Sequence, residues 1–149
     1  MELDELFYTA LQADEDVVAA VGDRIISTGF EVAPDEKDNT PLPCIIVSYD
    51  GFENNLTSKD SVWEGEEDSV QASIEVDAES RQEVGRIMNI VRKAIANYIH
   101  SLYDQGEEIP SLKGVAGSDI QWFWEKPCYF QTVSYVCYVP NNIYENGSN

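Results

Sequence analysis

The sequence predicts an α+β fold: a mixed, mainly antiparallel sheet of about four or five strands, with one long helix and one or two short helices packed on one face. Three observations lead there. Val70, Ala72, Ile74 and Val76 alternate with Gln71, Ser73, Glu75 and Asp77, which is the period of a half-buried strand. At Glu79 the period changes to about 3.6 residues, and Val84, Ile87, Met88, Val91, Ile95, Tyr98, Ile99 and Leu102 fall on one helical stripe. Near the C-terminus, two aromatic stretches flank Lys126-Pro127-Cys128 and read as a hairpin. A length of 149 residues is that of one domain, 1–149, with a single core.

The first element is a short helix over 2–12, with Leu3, Leu6, Phe7, Ala10 and Leu11 as its apolar stripe. Glu2, Asp4 and Glu5 lie in its first turn, where the helix dipole favours acids. A turn or two of helix follows at Asp16–Val21 and stops at Gly22. Arg24, Ile25 and Ile26 read as a brief strand, and Thr28–Thr40 as a charged loop punctuated by Pro34 and Pro41. Leu42–Asp50, LPCIIVSYD, has no polar break at its centre and reads as a covered strand, with Pro43 at its start.

Gly51–Asp68 is the least regular stretch, a long loop or a hairpin arm reaching off the body. Val62 and Trp63 suit the arm better, because a fully solvated loop has no use for them. The strand from Val70 then leads into the long helix. Ser80 and Glu83 have capping-box spacing, and a helix from near Ser80 to near Tyr103 is about 36 Å long. Asp104–Ser118 carries Gly106, Pro110, Gly114 and Gly117 and reads as a turn-rich connection. Asp119–Lys126 and Tyr129–Val139 are the hairpin strands, with Ile120, Trp122 and Trp124 on one face of the first. The polar tail 140–149 is expected to fray.

Charge narrows the function classes. Twenty-eight acids against nine bases leave a formal charge of −19. A surface of that sign repels phosphates, which disfavours nonspecific nucleic-acid binding. A basic partner, or a role in which repelling a polyanion helps, fits it. No segment at the N-terminus has the pattern of a signal peptide, and no 18-residue apolar run is present, so neither export nor membrane spanning is expected.

The three cysteines, Cys44, Cys128 and Cys137, have no CxxC or Cys/His metal spacing. Along one strand, Cys128 and Cys137 would stand about 30 Å apart, beyond any disulfide. Free thiols, buried or half-buried, are the expected state.

No motif supports an enzyme. His100 is the only histidine, and neither a nucleophile elbow nor a cysteine-protease signature accompanies it. Asp35-Glu36-Lys37-Asp38-Asn39 lacks the glycine and terminal glutamate of a calcium loop. Glu64, Glu66, Glu67 and Asp68 read as a solvated acidic patch before a metal site. No phosphate-cradling glycine loop is present. No catalytic residue, metal or cofactor is therefore expected.

Arg81, Arg86, Arg92 and Lys93 place four of the nine bases on the long helix. They are either a solvated face with local charge pairs or an interface that meets an acidic patch on another copy. The candidate subunit interface is thus Arg81, Arg86, Arg92 and Lys93 on one side. On the other stand Trp63, Glu64, Glu66, Glu67 and Asp68. The hairpin aromatics Trp122, Trp124, Tyr129, Tyr135 and Tyr138 serve as cross-strand core pairs or as interface anchors.

In that order, three segments carry a resemblance: DEDVVAAVGDRI (Asp14–Ile25), TPLPCIIVSYD (Thr40–Asp50) and VQASIEVDAESRQEVGRIMNIVRKAI (Val70–Ile95). The chain resembles the tail terminator, or tail completion, proteins of long-tailed bacteriophages and prophages over about residues 2–100. The run Val21–Ile25 followed by the proline-flanked strand is the most telling part. The Asp104–Ser118 connection is longer than the family pattern.

The resemblance implies a small protomer closing into a homo-oligomeric ring, usually a hexamer, on the head-proximal end of the tail tube. It implies the tail tube protein and the head–tail connector protein as partners, DNA only as passing cargo, and no catalytic residues. The implied location is the virion tail, after assembly in the host bacterial cytoplasm. Two other readings stay open: a head–tail connector or other minor tail protein of similar fold, and an acidic cytosolic adaptor that mimics nucleic acid.

Overall fold

The computed structural model describes residues 3–27, 40–56 and 63–141. The 28–39 loop with its calcium-like run, the stretch 57–62 and most of the tail, 142–149, lie outside the described residues. Helix α1 spans Leu3–Ala13 and α2 spans Glu15–Val21. Asp14 caps α2, its carboxylate accepting from the Asp16 and Val17 amides at 3.0 Å each. Gly22 ends it at a φ of 63°, a backbone that a side chain would strain. Strand β1, Ile25–Ser27, then pairs in parallel with β2, Cys44–Asn55.

Strand β3, Glu67–Ala78, runs antiparallel to β2, and helix α3, Arg81–Asp104, follows it. Ser80 accepts from the Glu83 amide at 3.1 Å, the cap that its spacing predicts. Strands β4 (Ser111–Gly117), β5 (Gln121–Phe123) and β6 (Cys128–Pro140) follow. The sheet order is β1-β2-β3-β6-β4, with β5 pairing the other end of β6. Among the described residues only the β1–β2 pair is parallel. The fold is α+β, as the periodicity predicts.

The core lies between one sheet face and the helices. Ile45 and Val47 of β2, Ala72, Ile74 and Val76 of β3, and Val133, Tyr135 and Cys137 of β6 form the sheet side. Ile87, Met88, Val91, Ala94 and Ile95 of α3 meet them, with Phe7 and Leu11 of α1 and Val17 and Val21 of α2. Tyr98, Ile99 and Leu102 extend the α3 stripe, half-buried. Phe7 packs on Tyr135 with ring centres 4.7 Å apart.

Three expectations change. The connection Asp104–Ser118 contains a strand, β4, so the described residues hold six strands where four or five were expected. Its two glycines and exposed pattern hide it, because what makes it a strand is the ladder to β6 at the sheet edge. The first hairpin strand is shorter than Asp119–Lys126, since Trp124–Pro127 form the turn and Cys128 already pairs with Phe123. The described ends of Gly51–Asp68 belong to the sheet: Asn55 pairs with Glu67, and β6 continues beside them to the Glu67–Pro140 pair.

Candidate interaction surfaces

Helix α3 leads back along the sheet from the Ala78 end of β3, and this gives the protomer two charged ends. Eleven strand steps separate Ala78 from Glu67, or roughly 36 Å. Arg81, Arg86 and Arg92 line one groove of about 490 Å³ between α3 and the sheet, together with Val115, Ile120, Gln131 and Thr132. All three arginines are exposed. Arg81 is committed within the protomer: its guanidinium donates to the Ile120 carbonyl at 3.2 Å and lies 5.9 Å from the Tyr129 ring centre. Lys93 does not join this groove. It lines a separate depression with Asp14 and Asp16 at the start of α2. Seven-residue spacing put Arg86 and Lys93 on one face; the groove takes only Arg86, because Lys93 is on the α2 side.

The acidic cluster is at the other end. Glu64, Glu66 and Glu67 are exposed, and Trp63 is 72% exposed. Asp68 is half-buried and structural: its carboxylate accepts from the Asn54 side chain at 2.8 Å and the Asn141 side chain at 3.2 Å. The same two side chains donate to the Gly65 carbonyl at 2.9 and 2.7 Å. Asn54 also accepts from the Gly65 amide at 2.8 Å. A Cβ on Gly65 would stand 1.9 Å from the Asn55 carbonyl oxygen, so this latch requires glycine. The latch ties β2, the approach to β3 and the end of β6 into one unit. Glu67, Glu107 and Glu108 share a groove of about 680 Å³ near the α3 C-terminus with Tyr98, Leu102 and Tyr138.

At the Ala78 end of the sheet the β5–β6 hairpin carries an aromatic platform, with Arg81 and the exposed acids Glu79, Asp119 and Glu125 around it. Trp122 meets Trp124 edge-on at 5.6 Å and Tyr129 at 4.9 Å. Trp124 is 82% exposed. Below the turn, Lys126 is buried: its ammonium lies 3.5 Å from Asp77 of β3 and 3.3 Å from the Cys44 sulfur of β2. The second Asp77 oxygen is buried and accepts no hydrogen bond among the described residues. Nothing in the local sequence marks Lys126 as buried; a lysine beside a proline in a turn normally faces water.

All three cysteines are free and buried, as expected. Burial raises the Cys44 thiol, with Asp77 adding to the rise and Lys126 opposing it. Burial, with Asp77 adding, pushes Cys128 up to about 11. Burial alone pushes Cys137 up to about 11. Burial likewise raises the Tyr135 phenol, against the nearby Arg92 charge. His100 is exposed and pairs with Asp104 at 3.2 Å, one helical turn on. Among the described residues no group of three His, Cys, Asp or Glu side chains is placed to hold a metal ion. No helix among them is long and apolar enough to cross a membrane.

No family model and no curated protein matches the chain. Among solved structures, a chain from the virion of a native gene transfer agent particle is similar to it. The two are 19% identical, the match covers 93% of this chain and 95% of that chain, and the TM-score is 0.44.

Proposed function

We propose that the chain is a structural virion protein and, within that class, a tail terminator. Copies close into a ring, a hexamer by the resemblance, on the head-proximal end of a tail tube. The ring ends tube polymerisation and offers its other side to the head–tail connector. The role needs no catalytic residue. Assembly takes place in the host cytoplasm, and the product belongs to the virion tail.

The observation that carries this reading is the separation of the arginine-lined groove of α3 from the exposed acidic cluster before β3. Ring closure needs a heterologous contact, in which one patch meets a different patch on the next copy. Exposed Arg86 and Arg92 line the groove along the first half of α3, and exposed Glu64, Glu66 and Glu67 lie at the far end of the sheet. The net charge of −19 suits a conduit, since an acidic lumen lets DNA slide through without sticking. The resemblance over residues 2–100 supplies the specific role.

The test is to polymerise the tail tube protein with and without this chain and to measure the tubes by electron microscopy. Short tubes ending in a ring are expected. Tubes of unrestricted length with no ring overturn the terminator reading. Rings that bind the connector while tubes keep growing assign the chain to the connector instead.

A further inference from the structure

The proposed subunit contact makes no use of the buried polar cluster under the β5–β6 turn. Cys44, the first residue of β2, stands opposite Asp77 of β3, and Lys126 closes over both. The Lys126 ammonium donates to the Cys44 sulfur at 3.3 Å and lies 3.5 Å from the Asp77 carboxylate. The Cys44 thiol is 3.9 Å from the same Asp77 oxygen. Cys44, Asp77 and Lys126 are only 0, 1 and 7% exposed. We propose that this cluster is an oxidative cross-linking site: hydrogen peroxide converts the Cys44 thiol to a sulfenic acid, and the Lys126 amine traps it as a sulfur–nitrogen link between β2 and the β5–β6 turn. Such a link needs no second copy and does not depend on the ring reading.

The chemistry takes two steps. Peroxide first transfers an oxygen to sulfur: the S–O bond forms, the O–O bond breaks, sulfur is oxidised by two electrons and water leaves. The Lys126 ammonium then gives a proton to Asp77, and its nitrogen attacks the sulfur. The S–N bond forms, the S–O bond breaks, and the departing hydroxide takes a second nitrogen proton to leave as water.

Three features point to this outcome. The Lys126 nitrogen already touches the sulfur, and its flexible four-carbon stem can close the remaining gap. Asp77 has room for the proton, since its second oxygen is buried and accepts no hydrogen bond among the described residues. The condensation also replaces a buried ammonium and a buried carboxylate with a neutral link and a neutral acid, and buried charges are costly to hold. Burial works on the two steps in opposite directions. It holds the thiol protonated and slows the first step, against the pull of the adjacent ammonium. It then shields the sulfenic acid from bulk thiols and leaves it in contact with the lysine.

The test treats the full chain with hydrogen peroxide and reads intact mass and fragment spectra. A loss of two hydrogens is expected, localised to Cys44 and Lys126 and reversed by dithiothreitol. A Cys44–Cys128 disulfide would lose the same mass, so the treatment is repeated on Cys128→Ala, where the link is expected to persist. Cys44→Ala is expected to abolish it. So is Lys126→Met/Asp77→Leu, which leaves no buried charge unpaired and in which Cys44 is expected to gain oxygen instead. A cooperative thermal transition checks that each variant folds. The oxidised wild-type chain is expected to unfold at higher denaturant than the same sample after dithiothreitol, because the link fastens β2 to the turn. Cys44→Ala is expected to show no such shift. Oxygen gain at Cys44 without a nitrogen link in the wild-type chain overturns the inference. So does a Cys44 thiol that survives peroxide in the folded chain, or a mass loss that disappears in Cys128→Ala.

Discussion

Lys126 lies in a turn and yet is buried against Asp77, with the Cys44 sulfur 3.3 Å from its ammonium. Such a pair gains little over a well-packed apolar replacement, but losing one partner strands the other charge. Lys126→Met should therefore cost about 3–5 kcal/mol in chemical denaturation. Adding Asp77→Leu to it should recover most of that loss. If the single variant unfolds like wild type, Asp77 is not charged and alone in that site. The thiols give a second residue-scale expectation. Cys128 and Cys137 are raised from an ordinary 9.0 to about 11, so the folded chain keeps their protons longer than the unfolded chain does. Their contribution is fully present below pH 9 and is lost as the pH rises towards 11. The loss is at most about 2–3 kcal/mol per thiol. Denaturation midpoints should fall over that window, and less steeply in Cys137→Ala.

At the scale of elements, α3 organises the core. Val91 is fully buried at the centre of its stripe, between Ile87 and Ile95. Val91→Asp would bury an unpaired charge there, a cost comparable with the whole stability of a domain, about 5–15 kcal/mol. No cooperative thermal transition should remain; one like wild type's would place the stripe in solvent. The edge strand β4 works differently. Only its ladder to β6 keeps it in place, and its exposed Leu112 and Val115 add no core. A register shift at Lys113, whose ammonium lies 5.2 Å from the Tyr138 ring centre, interrupts that ladder. A bulge and a lysine on an edge strand discourage pairing with another chain. The subunit contact of the proposed ring is accordingly not expected at this edge.

For the whole molecule, the separation of the α3 arginines from the Glu64–Glu67 acids is the property that bears on assembly. The last turn of α3 has no base and ends on Asp104, opposite to what the helix dipole favours. Helix stability therefore does not explain why the bases gather towards its start. The contact between copies proposed above would account for it, and would make assembly sensitive to salt. Raising ionic strength to about 1 M shortens the screening length to about 3 Å. The concentration needed for association should then rise by roughly a few-fold, in keeping with exposed pairs. Arg86→Glu/Arg92→Glu should have a similar effect at physiological salt, and a Glu66→Lys/Glu67→Lys partner should restore assembly in a mixture. Light scattering with tail tubes present reads both. Full-size rings from the charge-reversed protein alone would remove these arginines from the contact.

The sequence by itself determined the fold class, the long capped helix and the faces of β3 and β6. These are local or periodic properties: a period of two or 3.6 says which side chains share a face whatever they pack against. It also marked the bases and acids of the two ends, because charge is written in composition. Only the tertiary structure decided that β4 is a strand, that Lys126 is buried, and that Lys93 leaves the arginine groove for the α2 side. Each depends on a neighbour distant in the chain: β6 for β4, Asp77 and Cys44 for Lys126, Asp14 and Asp16 for Lys93. The separation of the two charged ends has the same origin. It follows from the antiparallel register of β2, β3 and β6, which no local pattern encodes, because pairing between strands is chosen by the core as a whole.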